Sequence, residues 1–164
     1  MKSKIFWKLI CSLLIPFGVF SQISISFPTE RAVFQRNQNN KGFIQISGSY
    51  QPILTRVEAR VIPINGGQET PWTTISTNPT GGNFIGKLEV TGGWYRLEVR
   101  GLFNERVEGI TTINRVGVGE VFLISGQSNA RGVIGETAHP INQDDRVSCI
   151  TNFFANDTDT PPFP

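Results

Sequence analysis

The feature that most constrains this chain is an alternation of apolar and polar residues with a period of two, sustained from Ile23 to about Arg115. Ile23, Ile25 and Phe27 alternate with serines, Ile44 and Ile46 with Gln45 and Ser47, and Val57, Ala59 and Val61 with Glu58 and Arg60. Phe84, Leu88 and Val90 share one face of a later run, and Tyr95, Leu97 and Val99 alternate with Arg96, Glu98 and Arg100. Successive side chains of a strand point to opposite faces, so the pattern predicts antiparallel strands with one buried and one wet face. No window carries a helical stripe. Turn-forming clusters separate the runs at 37–42, 65–67, 78–82 and 92–93. Short strands between regular turns, over about ninety residues, predict an immunoglobulin-like β-sandwich across residues 22–118. The Cys and Trp pins of antibody domains are absent, so this expectation concerns architecture alone.

Composition narrows the class. Hydrophobic residues make up 38% and charged residues 17% of the 164, which excludes a disordered chain. The first 21 residues read as a secretory signal peptide. Lys2 and Lys4 form a positive n-region, and the apolar stretch from Leu9 to Phe20 is too short to span a bilayer and contains Pro16. Cys11 is not preceded by the small residues that a lipoprotein anchor needs. The expected location is therefore secreted, periplasmic or cell-surface, with no membrane attachment once the signal is cleaved. Losing Lys2, Lys4 and Lys8 lowers the basic count from 15 to 12, against 13 acidic residues. A chain so balanced has no basic stripe for a nucleic-acid partner. Cys149 is then left without a partner for an internal disulfide and reads as a buried, inert thiol.

The pattern changes after Arg115. Gly117 and Gly119 punctuate the chain, and Val121-Phe122-Leu123-Ile124 is an unbroken apolar run. Such a run predicts a strand buried on both faces, as in a parallel sheet. Gly126-Gln127-Ser128-Asn129 follows at once as a small polar turn. Open α/β sheets place their chemistry at the C-terminal ends of such strands. Serine is a poor nucleophile by itself and needs a base and oxyanion donors, and a tight glycine turn can supply the donors from its backbone. Segment 119–164 then holds a further short strand at 146–151 and a Pro-rich end, with no helix to cover a parallel sheet. It is expected to be the beginning of an α/β domain that continues past Pro164.

Gly119-Glu120-Val121-Phe122 followed by Gly126-Gln127-Ser128-Asn129 resembles the nucleophile block of the sialate O-acetylesterase-type branch of the SGNH hydrolases, which are serine esterases on a flavodoxin-like α/β/α sheet. A β-sandwich ahead of the block is also similar to members of that branch, and Asp145-Arg146-Val147 resembles the start of the family's next strand. The resemblance implies that Ser128 is the catalytic nucleophile and that its own N–H contributes to the oxyanion hole. Gly126, Gln127 and Asn129 are then expected around the substrate or oxyanion. It implies an O-acetylated glycan or sialic acid as substrate, and no metal or other cofactor. The family's later oxyanion blocks and its Asp-x-x-His block do not occur before Pro164, so the 164 residues alone are expected to be inactive. Ala130 stands where the family often has Met, a departure that concerns packing.

Other readings remain open. Residues 126–130 also resemble a nucleophile elbow with Ala130 in place of the last glycine, which would imply an α/β-hydrolase. A rival of another class is a non-enzymatic exported sandwich that binds a glycan or protein and carries a degenerate esterase block. His139 reads as a solvated loop histidine, Asp157 and Asp159 as a solvated loop, and Asn156-Asp157-Thr158 as a glycosylation sequon. Trp72, Trp94 and Tyr95 could form a sugar-stacking platform, but Tyr95 is in phase with the core and Trp94 is on the opposite face, so core or rim packing is the expectation for most of them.

Overall fold

A computed structural model describes residues 22–51 and 53–123. The described residues are all-β. They form strands β1 (Gln22–Phe27), β2 (Val33–Gln35), β3 (Lys41–Gln51), β4 (Arg56–Gly66), β5 (Thr73–Thr77), β6 (Asn83–Thr91), β7 (Gly93–Phe103) and β8 (Arg106–Gly119). One sheet has the order β1-β3-β6, and the other β2-β8-β7-β4-β5. Every pairing is antiparallel except β2 with β8. The first extended stretch is thus divided, with β1 hydrogen-bonded into one sheet and β2 into the other. This is the strand order of an immunoglobulin-type sandwich.

The period-two residues close the space between the sheets. Ile44, Ile46, Phe84, Leu88 and Val90 from one sheet meet Val57, Ala59, Val61, Tyr95, Leu97 and Val99 from the other, all buried. Phe27 departs from its phase and is 42% exposed. The register shifts between Ile25 and Phe27, which turns the Phe27 ring out of the core and onto Phe34, with centroids 5.8 Å apart and planes at 80°.

Tyr95 fastens the corner where β6 passes to β7. Its ring is 0% exposed, and its hydroxyl donates to the Thr91 carbonyl at 2.5 Å. A tyrosine near the start of this strand, bonded back to the backbone a few residues upstream, is the tyrosine corner of such sandwiches. Gly67 makes room for it. A Cβ there would collide with the Tyr95 hydroxyl, and the backbone sits at φ +71°, which favours glycine.

The stretch 116–119 completes β8. Val116 and Val118 are buried, and Gly117 pairs with Trp94 on one side and Val33 on the other. A Cβ on Gly117 would lie 3.0 Å from the Trp94 ring, so this glycine lets a large side chain close over the strand. The expected buried strand at 121–124 also needs correcting for its described part. Val121, Phe122 and Leu123 belong to no strand and are 53%, 82% and 93% exposed. The parallel partner β2 ends at Gln35, opposite Gly119, and no described strand runs beside the three residues. Ile124 and the expected α/β portion lie outside the described residues.

Candidate functional site

Gly126, Gln127, Ser128 and Asn129 lie outside the described residues, as do His139, Cys149, Asp157 and Asp159. The structure describes the first five residues of the nucleophile block, Gly119 to Leu123, and how the sandwich holds them.

The main-chain ladder of β8 ends when the Arg36 N–H donates to the Gly119 carbonyl at 2.8 Å. Side chains then continue what the backbone stops. The Gln35 amide oxygen accepts from the Val121 N–H at 2.7 Å, and its Nε2 donates to Glu120 Oε2 at 2.8 Å. Arg36 Nε donates to Glu120 Oε1 at 2.8 Å, and its Nη1 donates to Asn40 Oδ1 at 2.8 Å. Asn40 opens the path into β3, and its carbonyl accepts from the Gly92 N–H at 2.8 Å at the turn between β6 and β7. Glu120 is therefore tied to elements of both sheets.

These contacts favour the charged form of Glu120. The Gln35 amide, and after it the Arg36 guanidinium, hold its carboxyl below the usual carboxylate range. A depressed carboxyl contributes stability above its unfolded-state value and loses it as pH falls through the folded value. An NMR titration of the side-chain carbons should therefore find the Glu120 midpoint below the ordinary glutamate value. Gln35→Ala should move it back upward, and an unchanged midpoint in that variant would count against the contact.

A shallow depression of about 210 Å³ opens at the same end, lined by Asn40, Gly67, Gln68, Thr91 and Gly92. Its lining offers the amides of Asn40 and Gln68, backbone groups and the Thr91 hydroxyl, which is in contact with the Tyr95 hydroxyl at 3.1 Å.

The outer face of the five-stranded sheet carries a charge ladder. Arg100 Nη2 lies 2.6 Å from Glu58 Oε2, and Arg60 Nε lies 2.8 Å from Glu98 Oε2, each pair directly cross-strand. Arg56 binds the exposed Glu105 with both carboxylate oxygens, at 2.9 and 2.7 Å, across the foot of the β7–β8 hairpin. That fork lowers the Glu105 carboxyl and raises the Arg56 guanidinium. Glu58 is 7% exposed, and such a carboxylate is tolerable only with partners in place.

The three aromatic residues separate in the structure. Tyr95 belongs to the core, as its phase predicts. Trp94 lies on the opposite face, yet it is only 6% exposed, because the guanidiniums of Arg31 and Arg115 stand 5.6 and 4.8 Å from its ring centroid. Trp72 lies half-buried on the ladder, 4.7 Å from Arg60 and 4.2 Å from Arg100. The three do not form one platform. The Glu120 clamp was missed in the sequence, where Gln35, Arg36 and Glu120 are ordinary surface residues more than eighty positions apart.

Among the described residues, no cluster of His, Cys, Asp and Glu could hold a metal ion, and no helix is long and apolar enough to cross a membrane. No family model matches the chain, and no curated protein matches it. Among solved structures the chain is similar to the fibronectin(III)-like modules of Clostridium thermocellum CbhA. The identity is 18% and the TM-score 0.38, over 62% of this chain and 100% of that one.

Proposed function

We propose that the chain belongs to an exported carbohydrate-active serine esterase that removes O-acetyl groups from sialic acid or another glycan, with Ser128 as nucleophile. The observation that carries this reading is the block Gly126-Gln127-Ser128-Asn129 directly after the apolar run from Val121 to Ile124. Its support in the fold is that the sandwich finishes at Gly119 and hands the chain outward at Glu120, with three large apolar residues exposed. Such a run is costly in water and suits a strand that other elements cover.

In the reaction, the Ser128 oxygen attacks the acetyl carbonyl while a base takes its proton. The ester C–O bond breaks, and the sugar oxygen leaves with that proton. Water then attacks the acetyl-serine while the same base takes its proton; the bond from the acetyl carbon to the Ser128 oxygen breaks, the base returns the proton to that oxygen, and acetate departs. Backbone N–H groups of the 126–129 turn would stabilise the oxyanion in both steps. The base and its orienting carboxylate are expected from an Asp-x-x-His block beyond Pro164, which the resemblance implies.

The experiment is acetate release from an O-acetylated sialoglycan by the complete gene product. Release above the uncatalysed rate is expected, and a folded product without release would count against the reading. One observation favours the second reading, a glycan-binding module. Trp72 presents a partly open indole above a row of hydrogen-bonding Arg and Glu side chains. Glycan binding lost in Trp72→Ala but kept in Ser128→Ala would support it.

A further inference from the structure

We propose that Gln35, Arg36 and Glu120 form a joint that fixes the direction in which the chain leaves the sandwich, making Glu120 a positioning residue for the segment that follows. The inference does not rest on the esterase reading, because the joint orients whatever residues 121 onward do.

A chain leaving a sheet by its last ladder bond can pivot about the backbone dihedrals that follow. Fixing its direction takes further contacts that are not collinear. Here there are three: the Val121 N–H on the Gln35 amide oxygen, and the two Glu120 carboxylate oxygens on two different side chains. Gln35 is itself held, because its Nε2 also donates to the Arg36 carbonyl at 2.9 Å. Arg36 is braced at its far edge by Asn40, which belongs to the turn entering the other sheet. A side chain rather than a strand accepts the Val121 N–H, so the ladder stops without leaving that donor unpaired. Arg36 is the charged partner facing Glu120, and Gln35 and Asn40 are neutral.

The next three residues follow the direction that the joint sets. Val121, Phe122 and Leu123 are 53%, 82% and 93% exposed, in the order in which the chain leaves the joint. Single exposed ion pairs contribute little to stability. What this network supplies is direction, which depends on geometry more than on the strength of any one pair.

The test uses the 164-residue chain and two variants, Glu120→Ala and Gln35→Ala, with Glu89→Ala as a control at an ion pair on the opposite sheet. Amide exchange and backbone relaxation are read by NMR. Gln35→Ala, which deletes the acceptor, should speed exchange of the Val121 amide by about fivefold, the factor that one ordinary hydrogen bond represents, and Glu120→Ala, which frees Gln35, should speed it by a smaller factor. Phe122 and Leu123 should become more mobile, while the Val118 amide and the control remain as in the parent. Parent-like Val121 exchange and parent-like mobility at Phe122 in both variants would overturn the joint. Because no activity is measured, failure of the joint and failure of the esterase reading are separate results.

Discussion

Tyr95→Ala should lower the unfolding free energy by about 3–5 kcal/mol, the range for deleting a large buried aromatic ring. The ring is fully buried between the sheets, among Ile44, Val61, Leu97 and the rest of the core cluster. Two losses combine in this variant. A cavity replaces the ring, and the Thr91 carbonyl loses the hydroxyl that ties β6 to β7. Tyr95→Phe separates them, because it keeps the ring and removes only the hydroxyl, with its bond to the Thr91 carbonyl and its 3.1 Å contact with Thr91 Oγ1. It should cost about 1 kcal/mol, the usual net contribution of one hydrogen bond, because the Thr91 end is only part-buried. Urea unfolding followed by tryptophan fluorescence measures both, since Trp94 lies next to Tyr95 and is itself buried. Equal costs for the two variants would mean that the corner bond, and not the packing, carries the effect. A parent-like Tyr95→Ala would contradict the core described for this sandwich.

Ser128→Ala should lower acetate release by the complete gene product by roughly 10⁴-fold or more, as losing the nucleophile does in serine hydrolases. On the proposed mechanism, alanine removes the oxygen that would form the acyl-enzyme but leaves the backbone N–H of residue 128 as an oxyanion donor. Substrate binding should therefore change little, and the loss should fall on kcat rather than on KM. A comparable fall from Trp72→Ala, confined to KM, would instead assign binding to the outer face of the larger sheet.

Much of the sandwich was legible in the sequence, and the exceptions have physical causes. Strand β3 alternates along most of its length because it has one face in the core and one in water, and β4, β6 and β7 keep the alternation over Val57–Val61, Leu88–Val90 and Tyr95–Val99, where the sequence shows it. Strand β8 was obscured. Its pairing with β7 shifts register twice, between Tyr95 and Leu97 and between Gly101 and Leu102, and each shift breaks the alternation. The hairpin that begins it was also unmarked. Asn104 and Glu105 take φ of 46° and 67° with no glycine between the strands, and the Arg56 fork onto Glu105 holds that turn. Strand β2 is three residues long, and β5 is an edge strand of mostly Thr and Ser, so neither carries a periodic signal.

The candidate site was legible in a different way. Residues 126–129 are read from type and order, which point to chemistry without fixing geometry. The Glu120 clamp is the reverse case. Its geometry is plain in the fold, but nothing in the local sequence around Gln35 or Glu120 announces it, because its partners meet only once β2 lies beside β8.

The most direct measurement is peptide mapping of the complete gene product after reaction with a fluorophosphonate, which labels activated serines. A single adduct on Ser128, absent when the protein is unfolded first, is the expected result. A folded product that carries no adduct, or carries it on another serine, would contradict the assignment of Ser128 as nucleophile.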